Sequence, residues 1–229
     1  ILGVPSETHP QERMVSLVPH NIIPLKEIGV EVLIEHNAGI NAGFTDTQYE
    51  EVGGTIVPQR SDIFDSANII AHVRGPSKNP DSGQKDIAKL GNEHIIIGFL
   101  QPQFAIKEIN QIAQKGTTSI AMELIPRITK AQNMDALSSL ANLAGYKSVL
   151  VAASIMPKIF PLMMTASGTL RPAKILVLGA GVAGLQAVAT ARRLGALVTA
   201  TDVRPAAKEQ VESLGARFIE VDTQREEDV

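Results

Sequence analysis

The residues best placed to do chemistry stand six in a row: Gly179, Ala180, Gly181, Val182, Ala183 and Gly184. Their GxGxxG spacing is that of a dinucleotide-binding turn between a strand and a helix. The apolar run 174–178 precedes it and the helix-spaced run 182–194 follows, which is the context the motif requires. Gly179 permits the tight turn, Gly181 lets the backbone approach a pyrophosphate, and Gly184 lets the helix pack close to the strand. The helix N-terminus then offers N–H groups and the positive end of its dipole to the anion. Asp202 closes the next predicted strand, about 20 residues on, where a carboxylate accepts hydrogen bonds from an adenosine ribose and repels a 2′-phosphate. That favours NAD over NADP. Arg204 complicates the choice, because a nearby Arg accommodates a 2′-phosphate. Glycines serving only to pack a strand against a helix, with Asp202 as a cap, are the plainer reading of the same residues.

The elements that must hold this turn are legible as alternation. Residues 174–178, 196–201 and 217–221 read as strands, with helices over 182–194 and 205–214 ended by Gly195 and Gly215. That βαβαβ series is half of a doubly wound nucleotide-binding sheet. Upstream, 30–34, 68–73, 94–98 and 117–122 read as strands, and 45–52 and 103–114 as helices, with Thr45 as N-cap. Between the two sets, 135–154 is the longest helical candidate, with Leu137, Leu140, Ala141 and Ala144 on one face and Pro157 and Pro161 beyond its end. The expected fold is α/β: two Rossmann-like parallel-sheet domains joined by a long helix, the second incomplete in this chain. The expected domains are 1–138 and 139–229. A central strand of the second sheet would be left as an unprotected edge, so the protein is expected to continue beyond Val229. The charged residues 223–228 read as a mobile loop or tail. Ile1 in place of Met points to residues upstream.

Composition narrows the chemistry. The chain has 229 residues, 44% hydrophobic and 20% charged, with a net charge of -3, so nothing electrostatic points to nucleic acid. It has no Cys, which excludes disulfides, thiolate catalysis and cysteine-bound zinc. The five histidines, His9, His20, His36, His72 and His94, show no metal-ligand spacing, and no metal is expected. His72 and His94 lie in or beside strands and read as satisfied structural residues. The apolar stretch 148–167 is interrupted by Pro157, Lys158 and Pro161 and falls short of the ~20 residues of a membrane span. With no basic-flanked leader at Ile1, a soluble intracellular protein is the default. The second candidate site is the polar segment 127–138, with Arg127, Thr129, Lys130, Gln132, Asn133, Asp135 and Ser138, at the carboxyl end of a predicted strand, where α/β proteins bind ligands. An ordinary helix start capped by Asp135 or Asn133 accounts for it equally well.

Residues 127–135 (Arg-Ile-Thr-Lys-Ala-Gln-Asn-Met-Asp) resemble the Arg–Gln–Asp loop of proton-translocating NAD(P) transhydrogenases, in their NAD(H)-binding alpha component. The likeness continues through 138–146, 160–168, the glycine turn and 200–208 (Ala-Thr-Asp-Val-Arg-Pro-Ala-Ala-Lys), and begins at Gly3, Glu7, Glu12 and Arg13. The resemblance implies direct hydride transfer between NAD(H), held here, and NADP(H) on a partner component, coupled to proton movement through a membrane component. It implies that Arg127, Gln132, Asp135 and Ser138 orient the nicotinamide, with Gln132, Arg127 and Asp135 acting in the transfer and Gln132 reaching toward the second nucleotide. It adds Ala180, Val182 and Val203 to Gly179, Gly181, Gly184 and Asp202 as cofactor contacts. It also implies a homodimer, peripheral on the cytoplasmic or matrix face of the inner membrane.

Alanine dehydrogenase shares the fold and is the rival reading, with a non-catalytic NAD-binding module as the other. Alanine dehydrogenases resemble this chain at Arg13, whose counterpart binds the substrate carboxylate. Their catalytic Lys lies in a Lys-Val-Lys-Glu-Pro segment, which here is His72-Val73-Arg74-Gly75-Pro76. Their catalytic His follows Phe-Leu, where this chain has Gln101. Arg stays protonated and Gln does not titrate, so the acid–base pair is absent and Arg13 is expected to be a structural ion-pair residue.

Overall fold

Short apolar runs flanked by turn residues and alternating with helices can bury both faces in a parallel sheet covered by those helices. The computed structural model describes residues 1–220, and these form two units, Ile1–Asp135 and a second that starts at Ala136. In the first, β1 (Leu2–Val4), β2 (Val32–Glu35), β3 (Thr55–Val57), β4 (Ile69–Arg74), β5 (Ile95–Phe99) and β6 (Thr118–Ala121) make one sheet in the order β3-β2-β1-β4-β5-β6. Every pair is parallel, with Leu2 opposite both Val32 and Ile69. The crossovers carry α1 (Pro19–Glu27), α2 (Asp46–Glu51), α3 (Arg60–Ser66), α4 (Gly83–Lys89) and α5 (Ile106–Gln114).

Alternation along β2 sorts the core into two layers. Val32 and Ile34 join Leu2, Val4, Ile22 and Tyr49 on one face. Leu33 joins Ile63, Phe64, Ile70, Ile96 and Ile112 on the other. The Thr45 cap is present as a reciprocal box with Gln48, and the fully buried Tyr49 donates its hydroxyl to the Leu17 carbonyl at 2.9 Å. Five elements of this unit, β1, α1, β3, α3 and α4, have no counterpart in the periodicity analysis. Each strand among them has three residues, and α1 carries Pro24 inside it, a residue that argues against a helix.

Polar side chains knit the carboxyl ends of the central strands. Arg60 makes a bidentate pair with Asp86 (2.9 and 2.8 Å) and donates to Glu35 (3.0 Å) and the Ser6 carbonyl (2.7 Å). Glu7 accepts the Val73 and Arg74 backbone N–H groups at 2.6 and 3.1 Å. Burial nevertheless pushes its carboxyl up to about 7, with Glu12 adding to the rise and Arg60 opposing it.

The second unit opens with α6 (Ala136–Ile155), which ends just before Pro157. A hairpin of β7 (Met163–Thr165) and β8 (Gly168–Leu170) follows. Then come β9 (Lys174–Leu178), α7 (Val182–Arg193), β10 (Leu197–Thr201), α8 (Ala207–Ser213) and β11 (Arg217–Phe218), a parallel sheet ordered β11-β10-β9. The third strand is thus shorter than the predicted 217–221. Val221 and the predicted tail at 223–228 lie outside the described residues. Val149, Phe160, Val188, Val198 and Val211 form the core. α6 lies so close to α7 that a Cβ on Gly145 would stand 2.1 Å from the Ala183 carbonyl oxygen.

Packing at Gly145 and burial at Glu7 each set an expected outcome. Helix propensity alone makes Gly145→Ala stabilising by about 1 kcal/mol, whereas the Ala183 contact makes it destabilising by about 1–3 kcal/mol. Urea denaturation is expected to show the loss. For Glu7, the unfolded carboxyl titrates near 4.5 and the folded one near 7. The folded state holds a proton that the unfolded chain has released within that window, so this group's effect on stability becomes more adverse as pH rises through it. Glu7→Gln removes the dependence, and the variant is expected to gain on the parent between about pH 5 and pH 8. Parallel stability curves over that range would refute it.

Candidate functional site

The glycine turn sits where β9 hands over to α7. Gly179 has φ +89°, a left-handed conformation that side-chain-bearing residues rarely adopt, and its N–H donates to the Thr201 carbonyl at 2.8 Å. A Cβ on Gly184 would lie 1.8 Å from the Gly179 carbonyl oxygen, so the first turn of α7 closes on the loop only with glycine there. A Cβ on Gly181, by contrast, meets no atom within 4 Å. The backbone is open on that side, as an approaching diphosphate requires. Val182, first residue of α7, is exposed, while Ala180 is buried. The turn therefore fits the diphosphate of a dinucleotide.

Asp202 follows β10 directly and reaches back to this turn. Its side chain is 7% exposed. Oδ2 accepts the Ala180 N–H at 2.7 Å, and Oδ1 accepts the Arg204 N–H at 2.8 Å. The Arg204 guanidinium adds bonds of 2.9 Å to Oδ1 and 3.0 Å to Oδ2. These bonds, the Arg204 side chain first, hold the carboxyl well below the usual carboxylate range. Val203, between them, is exposed. The sequence marks Arg204 only as a complication. The structure makes it the chief partner of Asp202.

The polar segment lies at the end of the first unit. Residues Thr129–Met134 form a 3-10 helix, and the Asp135 N–H donates to the Gln132 carbonyl at 3.2 Å. Arg127 and Asp135 approach to 3.9 Å, with Arg127 mostly exposed and Asp135 largely covered. Gln132 is exposed, and Ser138 stands in the first turn of α6. The structure thus brings Arg127, Gln132 and Asp135 together on one segment, and Gly179, Ala180, Gly181, Val182, Gly184, Asp202 and Val203 around one turn.

The acid–base positions of the rival chemistry are tied down. Arg74 pairs with Glu12 at 2.8 Å. Gln101 has φ +50°, and its N–H is held by the Glu123 carboxylate. Arg13 is exposed and forms no ion pair among the described residues, contrary to the structural role expected of it. His94 fulfils its structural reading: Nδ1 accepts the Gly91 N–H and Nε2 donates to the Phe64 carbonyl, both at 2.9 Å. His72 does not fully: it is buried, but its Nε2 has no hydrogen-bond partner. Burial, then the charge of Arg60, pushes its imidazole down to about 4, so it stays neutral. The Arg60–Glu35–Asp86 and Glu7 contacts escaped sequence reading, because no local spacing marks residues that meet from separate segments of the chain. Among the described residues, no group of three or more His, Cys, Asp or Glu side chains could hold a metal ion, and no helix is long and apolar enough to cross a membrane.

Gly184→Ala is the direct test of the turn. The added methyl forces the loop off Gly179, and NADH affinity is expected to fall at least about tenfold, with the circular dichroism spectrum retained. Binding within about twofold of the parent would show that the turn is not used.

Comparison with known proteins bears on both sites. Residues 3–144 match the family model "Alanine dehydrogenase/PNT, N-terminal domain", and 148–229 match "Alanine dehydrogenase/PNT, C-terminal domain". The chain is 42% identical over 221 residues to an NAD(P) transhydrogenase alpha-subunit chain of Rhodospirillum rubrum, covering 96% of this chain and 57% of that protein. It thus spans little more than half the length of this curated relative. A solved transhydrogenase from Sinorhizobium meliloti superposes with a TM-score of 0.90 at 45% identity, covering 96% of this chain and 64% of that one. A solved L-alanine dehydrogenase gives 0.80 at 27% identity, covering 95% and 59%. With both halves matched, the chain belongs to the alanine dehydrogenase/PNT family, and it is more similar to these transhydrogenases, in sequence and in fold, than to this L-alanine dehydrogenase.

Proposed function

We propose that this chain belongs to the NAD(H)-holding component of a proton-translocating transhydrogenase and serves direct hydride transfer between NADH and NADP⁺. The observation that carries this reading is a pairing. The dinucleotide turn is complete, while the positions of an alanine dehydrogenase's acid–base pair hold Arg74, ion-paired to Glu12, and Gln101. NADH + NADP⁺ → NAD⁺ + NADPH releases no proton at the reacting carbons, so the transfer needs no protein base. It needs two rings held at reacting distance in the right orientation.

When bound, the dihydronicotinamide supplies the hydride. The chain's residues hold and orient it. The turn from Gly179 to Gly184, with Ala180 and Val182, takes the diphosphate at the α7 N-terminus. Asp202 and Val203 take the adenosine ribose. Arg127, Gln132, Asp135 and Ser138 orient the nicotinamide, and Gln132 extends toward the NADP(H) of the partner. A membrane component moves the proton. The assembly is read as a homodimer of this component, docked through its partners on the cytoplasmic or matrix face of the inner membrane.

The test mixes the full-length protein with the NADP(H)-binding component, NADH and an NADP⁺ analogue, and follows transfer by stopped-flow absorbance. Rapid transfer that requires both proteins is expected. Gln132→Asn should slow it at least about tenfold while NADH affinity stays within about threefold, the signature of lost orientation rather than lost binding. Unchanged transfer in that variant, or oxidation of alanine by the parent, would overturn the assignment.

A further inference from the structure

A carboxylate offers about four lone-pair directions, and those of Asp202 are all taken. Oδ1 accepts the Arg204 backbone N–H (2.8 Å) and Nε–H (2.9 Å), and Oδ2 accepts the Ala180 N–H (2.7 Å) and the Arg204 Nη2–H (3.0 Å). Two of these donors are backbone groups fixed by the glycine turn and by the chain leaving β10. The other two belong to one guanidinium fork that gives one bond to each oxygen. A vicinal diol makes the same demand on a carboxylate, with one O–H donor for each oxygen.

On the reading that this turn holds NAD(H), the adenosine ribose has no acceptor left on Asp202 while the fork is in place. The backbone donors cannot leave without opening the turn. The guanidinium can, since the Arg204 side chain is 61% exposed and its further hydrogen bond, Nη2 to the Ala180 carbonyl, is long at 3.3 Å.

We propose that Arg204 is an internal competitor for the adenosine ribose: its guanidinium stands in the diol's place on Asp202 and is exchanged for the two ribose hydroxyls when the dinucleotide binds. Affinity then reflects the difference between two ways of satisfying one carboxylate, not the full strength of the ribose contact. Both arrangements give each Asp202 oxygen two donors, and the guanidinium that leaves is largely exposed already, so the exchange is close to balanced and the site stays weak enough to release its nucleotide. Arg204 therefore opposes NADH binding, the reverse of what a cation beside a diphosphate would do.

The experiment uses Arg204→Met, which keeps the aliphatic stem without donors, in the full-length protein. NADH and reduced nicotinamide mononucleotide, which lacks the adenosine ribose, are titrated by nicotinamide fluorescence at ~0.15 M salt, where distant charge effects are screened. Arg204→Met should bind NADH about two- to fivefold tighter relative to the mononucleotide. Loss of the positive charge at the adenosine end acts against NADH and not in its favour, so a higher ratio is the mark of the freed carboxylate. Arg204→Lys, which keeps the charge but gives up the fork, should move the ratio the same way by less. In an Asp202→Ala background the Arg204→Met gain should vanish. An unchanged or lower ratio in Arg204→Met would overturn the proposal. If Asp202→Ala alone leaves NADH binding intact, the ribose reading itself fails. If Asp202→Ala weakens NADH but Arg204→Met gives no gain, only the competition fails.

Discussion

A single saturated carboxylate organises the second unit. Asp202 lies where β10 ends and accepts the Ala180 N–H, so it ties that strand end to the turn after β9. The Gly179 N–H closes the same junction from the other side through the Thr201 carbonyl. Gly184 then brings α7 down onto the Gly179 carbonyl. Each contact requires the others: the helix reaches the loop only without a Cβ, and the loop presents Ala180 to Asp202 only with Gly179 in its left-handed turn. The burial of Val188 and Ala191 in the core beneath α7 follows from that seating.

The first unit uses its polar groups differently. Its strand order reverses between β1 and β4, the place where an open α/β sheet forms a ligand crevice. Here the chain after β1 turns its own groups onto neighbouring donors. Ser6 and Glu35 engage Arg60, Glu7 sits on the β4 backbone N–H groups, and Glu12 pairs with Arg74. Asp86, buried at 2% exposure, is neutralised by the same Arg60 fork. His72 is held neutral by its burial beside that charge. Groups arranged so are committed to structure, which suits the proposed hydride transfer, where the protein supplies orientation and no proton transfer.

Elements with enough residues to show a period were legible in the sequence. β9, α7 and β10 fall within a residue of their predicted limits, α5 lacks the predicted first turn, and α6 is a helix of 20 residues where one was expected. Strands of three residues, such as β1 and β3, are too short to establish alternation, and they were missed although β1 sits at the centre of its sheet. The β7–β8 hairpin was missed for a related reason: its exposed Met163, Met164 and Leu170 look like core residues in a sequence.

By itself the sequence determined the α/β class, the glycine turn and the acid at Asp202, because these depend on residue type at short spacing, while the lack of a Lys–His acid–base pair is read through the resemblance to alanine dehydrogenase. Tertiary structure alone decided what the charged residues do. Arg204 was visible beside Asp202, but only the fold shows its fork filling both oxygens of that carboxylate. Glu7, Arg60 and Asp86 carry no local signature, since their partners stand tens of residues away and meet only when the parallel sheet aligns its strand ends. A charge's role is set by what surrounds it in space, and a linear chain encodes that only through the fold.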